Sequence, residues 1–413
     1  MWKAYPRHSV NLSRGCYAAI LSAIRRDAVL EGPDANQFED DFAGYIGVRH
    51  ALGVSSGRAA LYLALKTLEL APGDEIIMPA YTFHIVPLVI DAYGLTPVFV
   101  DVLPGSYNMN PDQIEACITP RTRAILATHM YGQPCDMERI SAIAEEHHLF
   151  VLEDCAHALG TRCGDHRVGA IGDIGLFTFA LAKNMPCFGG GMLTTNDDAL
   201  YEKLSRLIQT PSDDRRKGLR KEVLKTSANY FATLPLVFST IVYPLMRLLS
   251  ALGLAAFDSE PGQETVSNTD VQQAYPTRIT NLQAAVGCYQ LGRIEAINAK
   301  LEDNARRYNA LLGGIPSIDL PMEDPKTSRA MLYYRIKVRQ RQALRRALLK
   351  RRIDTMADDM SDCTRLAPFR DAAYHVPVAA ALPAGLVEIP SNQHLTPKDI
   401  VYIAGCIKDL ATP

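Results

Sequence analysis

The sequence predicts an α/β protein in which helices cover both faces of a parallel or mixed sheet. Short apolar runs, most of them rich in β-branched residues, alternate with helical patterns over the first two hundred residues. The 413 residues are 48% hydrophobic and 21% charged, which provides a large core and excludes a mainly disordered chain. The formal net charge of −2 excludes a generally basic nucleic-acid binder, so we expect no nucleic-acid partner.

Seven apolar runs are predicted as strands. Most are followed by a turn or a helical pattern, as connections between parallel strands require. The predicted strands are His50–Val54, Glu75–Met78, Pro97–Val100, Arg123–Thr128, Phe150–Glu153, Gly175–Phe179 and Met192–Thr195.

Helical and mixed patterns follow in the remainder of the chain. Apolar residues at helical spacing predict one long helical stretch from about Arg278 to Leu312. Beyond it we predict a strand at Met331–Val338, a basic helix at Arg341–Arg352 and a last helix starting at Thr396. The predicted domains are therefore a large domain over residues 1–277, a connecting helical region over 278–312, and a small α+β domain over 313–413.

Cysteine usage and the N-terminal residues indicate the compartment. Nine cysteines, an odd number, do not suggest a disulfide framework and fit a reducing compartment. The chain has no CxxC pair and no Cys/His cluster with zinc spacing, so we expect no structural metal. The first residues have no apolar signal core, so we expect a cytoplasmic protein.

An apolar insert at about residues 210–275 departs from the globular pattern. Its segment 229–257 has a single charge, Arg247, and follows six basic residues between positions 215 and 225. A basic run next to an apolar run is attracted to an anionic membrane surface. Pro235, Pro244 and Arg247 argue against a spanning helix, which needs about 20 apolar residues. We expect either peripheral contact with the inner face of a membrane or a helix pair packed on the protein or on a second subunit.

Chemistry-bearing residues follow the predicted strands at the edge where such sheets bind ligands. Lys183 comes after a strongly apolar strand, where burial would lower its pKa and make it an amine nucleophile; otherwise it is a surface lysine. Asp154 ends another strand, where it would either cap a loop or hold a protonated ring nitrogen of a cofactor. His157, three residues later, would share that site or serve the structure.

Two earlier positions extend this set. Ser56 and Gly57 precede a predicted helix at Arg58–Leu70, and the first N–H groups of a helix attract phosphate, although an ordinary serine cap has the same pattern. Tyr81 is predicted to stack on an aromatic ring, with a core tyrosine as the alternative. A phosphate site, an aromatic residue, a carboxylate and a lysine thus occur in that order.

Six ordered segments match a known family. They are Phe38–Ala43, Tyr131–Met137, Glu153–Ala158, Thr178-Phe179 with Lys183-Asn184, Gly190–Met192 with Thr195–Asp197, and Leu282–Gly287. On these segments the chain resembles the DegT/StrS-type sugar aminotransferases, which are fold-type I pyridoxal 5'-phosphate (PLP) enzymes. The resemblance runs from Gly32 to the C-terminus and is strongest over residues 32–200 and 278–295.

The resemblance implies the type I PLP-dependent transferase fold, with a mostly parallel seven-stranded sheet in the large domain and a smaller C-terminal α+β domain. It implies PLP as cofactor and assigns a role to each candidate residue. Lys183 would bind the cofactor covalently and move protons, Asp154 would pair with the pyridine nitrogen, His157 would contact the phenolic oxygen, Tyr81 would stack on the ring, and Ser56, Gly57 and Thr178 would hold the phosphate.

Three positions depart from the family pattern. Arg58 stands where the family usually has threonine after the phosphate-binding glycine, and a guanidinium can also grip a phosphate. Phe188 to Gly191, which includes Gly189, replaces the family's GEGG and lacks its carboxylate. Pro276 stands where an asparagine usually reaches the neighbouring cofactor.

The implied function is transfer of an amino group from an amino acid, glutamate by resemblance, to a keto group. The acceptor would be a nucleotide-linked sugar or, given the apolar insert, a lipid-associated one. The resemblance also implies a homodimer whose active sites are completed across the interface. Two alternatives remain open: a PLP-dependent dehydratase, although some of these replace the lysine by histidine, and a catalytically silent, membrane-associated regulatory homologue.

Overall fold

The structure, a computed structural model, describes residues 2–252, 276–323 and 327–411. The C-terminal parts of the predicted insert and of its apolar segment therefore lie outside the described residues. The main helices are α1 (Arg14–Arg25), α2 (Pro33–Ile46), α3 (Gly57–Thr67), α4 (Ile85–Ala92), α5 (Met137–Glu146), α6 (Asp198–Leu207), α7 (Asp213–Thr233), α8 (Pro235–Ala251), α9 (Asn281–Leu291), α10 (Ile294–Leu312), α11 (Arg341–Lys350), α12 (Pro377–Gly385) and α13 (Pro397–Ala411).

A seven-stranded sheet forms the centre of the molecule, and all seven predicted strands belong to it. The strands are β1 (His50–Val54), β2 (Glu75–Pro79), β3 (Thr96–Val100), β4 (Thr122–Thr128), β5 (Phe150–Asp154), β6 (Ile174–Thr178) and β7 (Gly191–Thr195). Their order is β1-β7-β6-β5-β4-β2-β3. Only β7 runs antiparallel to its neighbours, so the predicted α/β fold with a mostly parallel sheet is confirmed.

Helices cover both faces of this sheet because its central strands are apolar on both sides. On one face α3 and α4 pack over β2 and β4, and on the other face α2 and α9 pack over β6 and β7. Phe42 contacts Phe177 edge to face at 5.0 Å between ring centroids, and both side chains are buried. Burial of one such side chain contributes about 1.5–3 kcal/mol to folding.

A second, four-stranded antiparallel sheet lies in the C-terminal part of the chain. Its strands are β8 (Ile318–Asp319), β9 (Tyr334–Val338), β10 (Met356–Ala357) and β11 (Leu386–Ile389), in the order β8-β9-β11-β10. Helices α10, α11 and α13 pack on it through a separate core. This sheet agrees with the predicted small α+β domain, while the exact domain boundaries stay a prediction.

The predicted helical stretch between residues 278 and 312 is present in the structure. It is two helices, α9 and α10, interrupted at Gly292 and Arg293. Glycine is among the poorest helix formers, and it stands at the C-cap of α9. Helix α9 begins with a capping box in which Thr280 and Gln283 bond each other's backbone and side chain.

The two sheets are joined beside the C-terminal edge of the large one. The short strand Tyr81–Thr82 pairs with Ser361–Asp362, which follows β10. Below this pairing, Arg335 of β9 forms a buried ion pair with Asp358 and also contacts the hydroxyl of Tyr131. Segments that are far apart in sequence are therefore in contact where the two sheets meet.

Helices α7 and α8 come from the predicted insert and meet at a bend of 67°. Pro235 begins α8 at this bend, as the sequence suggested. Among the described helices none is long and apolar enough by itself to cross a membrane, and only this bent pair passes that test together.

Candidate active site

A cavity of about 700 Å³ opens at the carboxyl ends of the parallel strands. It is bounded by the ends of β4, β5 and β6, the start of α3, and residues of α7 and of the second sheet's loops. This is the position where sheets of this kind bind ligands. Seven of the eight predicted site residues line it: Ser56, Gly57, Arg58, Asp154, His157, Thr178 and Lys183.

Lys183 lies in the loop after β6 and faces this cavity. Burial lowers the pKa of its amine to about 8, although the negative charges of Asp359 and Asp154 act in the opposite direction. The lysine therefore has a large neutral fraction near physiological pH. A neutral amine is the form that attacks a carbonyl carbon.

Asp154 is the last residue of β5 and places its carboxylate in the cavity. One carboxylate oxygen accepts the N–H of Ala156 at 3.0 Å. Burial raises the pKa of this carboxyl group above its ordinary value, and the hydrogen bond from Ala156 and the charge of Lys183 oppose the rise. A cationic ring nitrogen placed against it would stabilise the carboxylate form.

His157 lies three residues beyond Asp154, and its ring is nearly parallel to that of Tyr131, at 5.6 Å between centroids. Tyr333 packs edge-on against the same ring at 5.7 Å. Burial, together with the positive charges of Lys183 and Arg335, holds the pKa of His157 well below its ordinary value, so the ring is neutral. Its Nδ1 atom is buried and makes no hydrogen bond to the described residues. A polar group bound in the cavity would satisfy this atom.

The start of α3 forms the opposite end of the cavity. The Ser56 hydroxyl caps the helix by accepting the N–H of Ala59 at 3.1 Å. Gly57 is the first helical residue, and a Cβ atom there would lie 2.9 Å from Cβ of Thr178. The first N–H groups of this helix, the Thr178 hydroxyl and the exposed Arg58 are donors that could hold an anion.

Tyr81 does not line the cavity in this structure, and its stacking on a cofactor ring stays a prediction. Tyr81 is fully buried outside the cavity lining, and its hydroxyl bonds to Tyr131 at 2.7 Å and to Asp358. Phe83, two residues later, lines the cavity and is 41% exposed. The carboxylate of Asp358, which comes from the loop after β10, holds the Tyr81 side chain away from the cavity.

Several cavity residues were missed at the sequence level. Tyr333, Asp359 and Met360 come from the second sheet and its loops, and three residues come from α7. Although burial acts to raise it, the charge and hydrogen bond of Arg335 keep the pKa of Asp359 low, so Asp359 is a carboxylate near Lys183. The one available signal was an acidic pair in the otherwise apolar stretch Met356–Met360.

The positions near Phe188 and Pro276, which depart from the family pattern, have defined backbone contacts in the structure. Phe188 is fully buried, has a positive φ of 61°, and its carbonyl accepts the side-chain amide of Gln283 at 2.9 Å. Gly189 follows with φ of +91° and lines the cavity, so the glycine supplies a backbone conformation that other residues avoid. The carbonyl of Pro276 accepts the N–H of Gln209 at 2.8 Å, which anchors the chain before α9.

A buried group of His129, Glu153 and Cys155 beside the sheet edge has suitable atoms for a metal ion. These atoms are already hydrogen-bonded. Nδ1 of His129 accepts the N–H of Cys135 at 3.0 Å, so Nε2 carries the proton and donates it to Glu153 at 3.1 Å. The Glu153 oxygens also accept three backbone N–H groups. The arrangement is a satisfied hydrogen-bond network, and the expectation of no metal stays a prediction.

The sequence profile of the DegT/DnrJ/EryC1/StrS aminotransferase family matches residues 14–408. The chain belongs to this family. It is 33% identical over 315 residues to the spore coat polysaccharide biosynthesis protein SpsC of Bacillus subtilis, covering 76% of this chain and 70% of that protein. It is 32% identical to the dTDP-3-amino-3,4,6-trideoxy-alpha-D-glucose transaminase of Streptomyces venezuelae, covering 82% and 76%.

The fold of this family member agrees with solved structures. The crystal structure of DesV from S. venezuelae superposes with a TM-score of 0.77 at 27% identity and covers 99% of both chains. The resemblance stated from the motifs is thereby confirmed, as is the type I PLP-dependent transferase fold. The protein is an aminotransferase, and PLP is its cofactor.

The cavity residues of this aminotransferase fit PLP. The unpartnered Nδ1 of His157 can bond a phenolic oxygen, and Asp154 offers a carboxylate to a ring nitrogen. At the other end, the turn at Gly57 has no room for a side chain next to Thr178, as a backbone cradle for a phosphate requires. Lys183, between these ends, offers an amine to an aldehyde carbon.

Proposed function

We propose that this aminotransferase moves an amino group from glutamate to a keto group of a nucleotide-linked sugar. The observation that supports it most is the shared cavity of Lys183, Asp154 and His157, together with cationic residues at the rim. The S. venezuelae relative is named as a transaminase of a dTDP-linked sugar. The glutamate donor is carried over from the family resemblance.

The roles of the chain's residues follow from their chemistry. PLP, when bound, supplies an electron sink that stabilises a carbanion next to the amino nitrogen. Lys183 would hold the cofactor, and its amine, whose pKa is about 8 in this structure, would take up and return the proton as a general base and acid. Asp154 stabilises positive charge on the ring nitrogen. His157, neutral, bonds the oxygen on the ring without adding charge.

The cationic rim supports an acceptor that carries phosphates. Arg58 lies at the start of α3, and Arg215 and Lys225 reach the cavity from α7. Guanidinium and ammonium groups pair well with phosphate oxygens, and arginine does so in a bidentate way. We assign Arg215 and Lys225 to the diphosphate of the sugar acceptor, outside the part of the cavity that holds PLP, whereas Arg58 stays with the phosphate of PLP at the start of α3.

A sugar linked through a diphosphate to a lipid is the second candidate acceptor. It is favoured by α7, which contributes cavity residues and leads directly into the apolar helix α8. Both acceptors share the diphosphate, so the chemistry at Lys183 would be the same. They differ in how the substrate reaches the cavity.

We also infer a homodimer, because the family resemblance implies that a second subunit completes each active site. Phe83, which is 41% exposed at the cavity in a single chain, supports this inference. Sedimentation velocity of the holoenzyme measures it directly, and a purely monomeric holoenzyme would contradict the inference.

Absorption spectra of the purified protein with PLP test the first half-reaction. We expect a yellow band that depends on Lys183 and bleaches when glutamate is added. Lys183→Ala should lose the band, whereas Lys66→Ala, an exposed lysine at the end of α3, should keep it. The aminated enzyme is then offered dTDP- and UDP-linked keto sugars, and recovery of the band identifies the acceptor. A band that glutamate leaves unchanged would contradict the assigned donor.

A further inference from the structure

Helix α8 exposes a row of large apolar side chains along one face. Singly scattered apolar residues are common on protein surfaces, but a continuous row marks a contact with another apolar surface. The row and its exposed fractions are Leu236 64%, Ile241 63%, Leu245 53%, Leu248 56% and Leu252 60%.

The backbone of α8 places these side chains on one face. Residues Phe238–Val242 form a wide turn with i→i+5 bonding, so residues five apart, Leu236 and Ile241, lie one above the other. Pro244 lacks an N–H group, which explains why normal bonding is interrupted here. After the wide turn the spacing returns to three and four residues.

The opposite face fixes α8 to the protein, so the exposed row cannot turn inward. Phe238 and Tyr243 pack with Ala4 and Leu349 in a small separate core. The Tyr243 hydroxyl donates to the carbonyl of Leu349 at 2.8 Å. The hydroxyl of Ser239 accepts the N–H of Ala4 at 2.9 Å.

Helix α7, which precedes this row, is cationic on its exposed face. It contains six basic and three acidic residues. Lys217, Lys221 and Lys225 recur every four residues and are exposed, as is Arg220. The acidic residues are Glu222, at the cavity, and Asp213 and Asp214 in the first turn; Asp214 lies 3.7 Å from Lys217. Leu224 and Phe231 extend the same exposed face towards α8, with 70% and 52% of their surfaces exposed.

We propose that α7 and α8 together bind the surface of an anionic phospholipid membrane. The cationic face would contact the headgroups and the apolar row would enter the region of the acyl chains. The positive charge of α7 favours a membrane over a second copy of the chain as the partner of this surface. A two-fold contact centred on the apolar row of α8 would bring the cationic face of α7 close to its own copy, where like charges repel.

The proposed membrane-binding surface adjoins the active site, because α7 contributes residues to both. Arg215, Glu222 and Lys225 line the cavity, while Lys217 and Lys221 are exposed beyond it. Membrane binding would therefore place the cavity close to the lipid surface. The proposal itself does not depend on the identity of the acceptor.

Flotation of the PLP-loaded full-length protein with vesicles tests the proposal. We expect the wild type to float with vesicles of phosphatidylglycerol and phosphatidylcholine at low salt, and less at high salt or with phosphatidylcholine alone. Two variants should each lower the bound fraction about tenfold. The first removes the apolar contribution of α8 and the second removes the electrostatic contribution of α7. These variants are L236Q/I241Q/L245Q/L248Q and K217Q/R220Q/K221Q.

Matched controls separate the surface from general effects. L21Q/I24Q/V401Q removes equally exposed apolar residues from α1 and α13, and K66Q/K350Q/K398Q removes three exposed lysines elsewhere; both should float like the wild type. All variants should keep the glutamate half-reaction, because the changed residues lie outside the cavity lining.

Two results would overturn the proposal. One is a wild type that does not float with anionic vesicles, as expected if another segment of the chain covers the apolar row. The other is flotation of the two surface variants at the wild-type level. If the α8 variant also changes the oligomeric state, measured by sedimentation velocity, the row belongs to a contact between copies.

Discussion

At the residue scale, the reactivity of Lys183 results from opposing influences on one amine. Burial lowers its pKa, while the carboxylates of Asp359 and Asp154 limit the decrease, and the result is a value of about 8. Compared with an ordinary lysine, this gives about three hundred times more neutral amine at pH 7. Lys183 is therefore already reactive as a nucleophile in the protein without bound cofactor.

The first prediction concerns the pH dependence of PLP capture by the apoprotein. Because only the neutral amine reacts, the capture rate should rise about tenfold per pH unit below pH 8 and level off above it. Stopped-flow absorbance at constant ionic strength measures it. Asp359→Asn removes a negative charge that raises the lysine pKa, so its midpoint should move to lower pH. A wild-type midpoint near pH 10 would show that Lys183 is not buried in the apoprotein.

The second prediction separates Phe83 from Tyr81. Phe83→Ala removes an aromatic ring from the cavity wall and should weaken PLP binding by about two- to tenfold, in keeping with a stacking contribution of about 0.5–1.5 kcal/mol. Tyr81→Phe removes a buried hydroxyl outside the cavity and should leave the dissociation constant of PLP nearly unchanged. Equilibrium titration of the apoproteins measures both. The reverse order of effects would support the sequence-based assignment of Tyr81.

A residue of the site could be predicted from the sequence where its neighbours along the chain determine its position. Asp154 and Thr178 end strands, and Ser56 and Gly57 begin a helix, so their neighbours in sequence suffice to place them. Tyr81 could not be placed in this way. Its hydroxyl is hydrogen-bonded to Asp358, which lies 277 positions later in the sequence. No pattern around residue 81 contains information about that contact.

At the element scale, the candidate anion site lies where the end of β6 packs against the first turn of α3. The end of β6 brings Thr178 against the first turn of α3 so closely that only glycine fits at position 57. The free N–H groups of that turn remain available to a bound phosphate.

The third prediction tests this packing with Gly57→Ala. The added Cβ atom would lie 2.9 Å from Cβ of Thr178, so the helix start has to shift, with an expected cost of about 1–3 kcal/mol. PLP affinity should fall about tenfold or more, because the shifted N–H groups no longer converge on the phosphate. Gly44→Ala is the matched control: it lies in the middle of α2 with nothing within 4 Å of its Cβ position, and should leave affinity unchanged. Isothermal titration decides between them, and equal affinities in both variants would contradict the assignment.

The sequence predicted the elements better than their ends. All seven strands of the large sheet lie where short apolar, mostly β-branched runs predicted them, because strands buried on both faces are almost continuously apolar. The break between α9 and α10 was missed, since the apolar spacing continues across Gly292. The bend between α7 and α8 was indicated by Pro235.

At the scale of the whole molecule, a buried charge network holds the two sheets together. Arg335, on β9, pairs with Asp358, with Asp359 at 2.6 Å and with Glu388 at 3.2 Å, and its guanidinium lies 4.2 Å from the ring centroid of Tyr131. The network joins the second sheet to the wall of the cavity. It also acts on the cavity through charge, because Asp359 lines the cavity and Arg335 lowers the pKa of both Lys183 and His157.

The fourth prediction follows from the burial of this network. Arg335→Met leaves buried carboxylates without a counter-charge and should lower the free energy of unfolding by about 3–5 kcal/mol. Arg307→Met breaks a largely exposed ion pair with Asp303 on α10 and should cost less than about 1 kcal/mol. Urea unfolding followed by circular dichroism measures both. Similar losses in the two variants would mean that the buried network does not stabilise the fold as proposed.

The cavity wall has a consequence for the time at which the enzyme becomes active during synthesis. Lys183 and the phosphate-binding turn leave the ribosome early, but Tyr333, Asp359 and Met360 close the same cavity from the last fifth of the chain. A chain that has not yet reached residue 333 lacks all three of these side chains, so its lysine would face a more open cavity. We therefore expect tight capture of PLP only after this late part of the chain has folded against the large sheet.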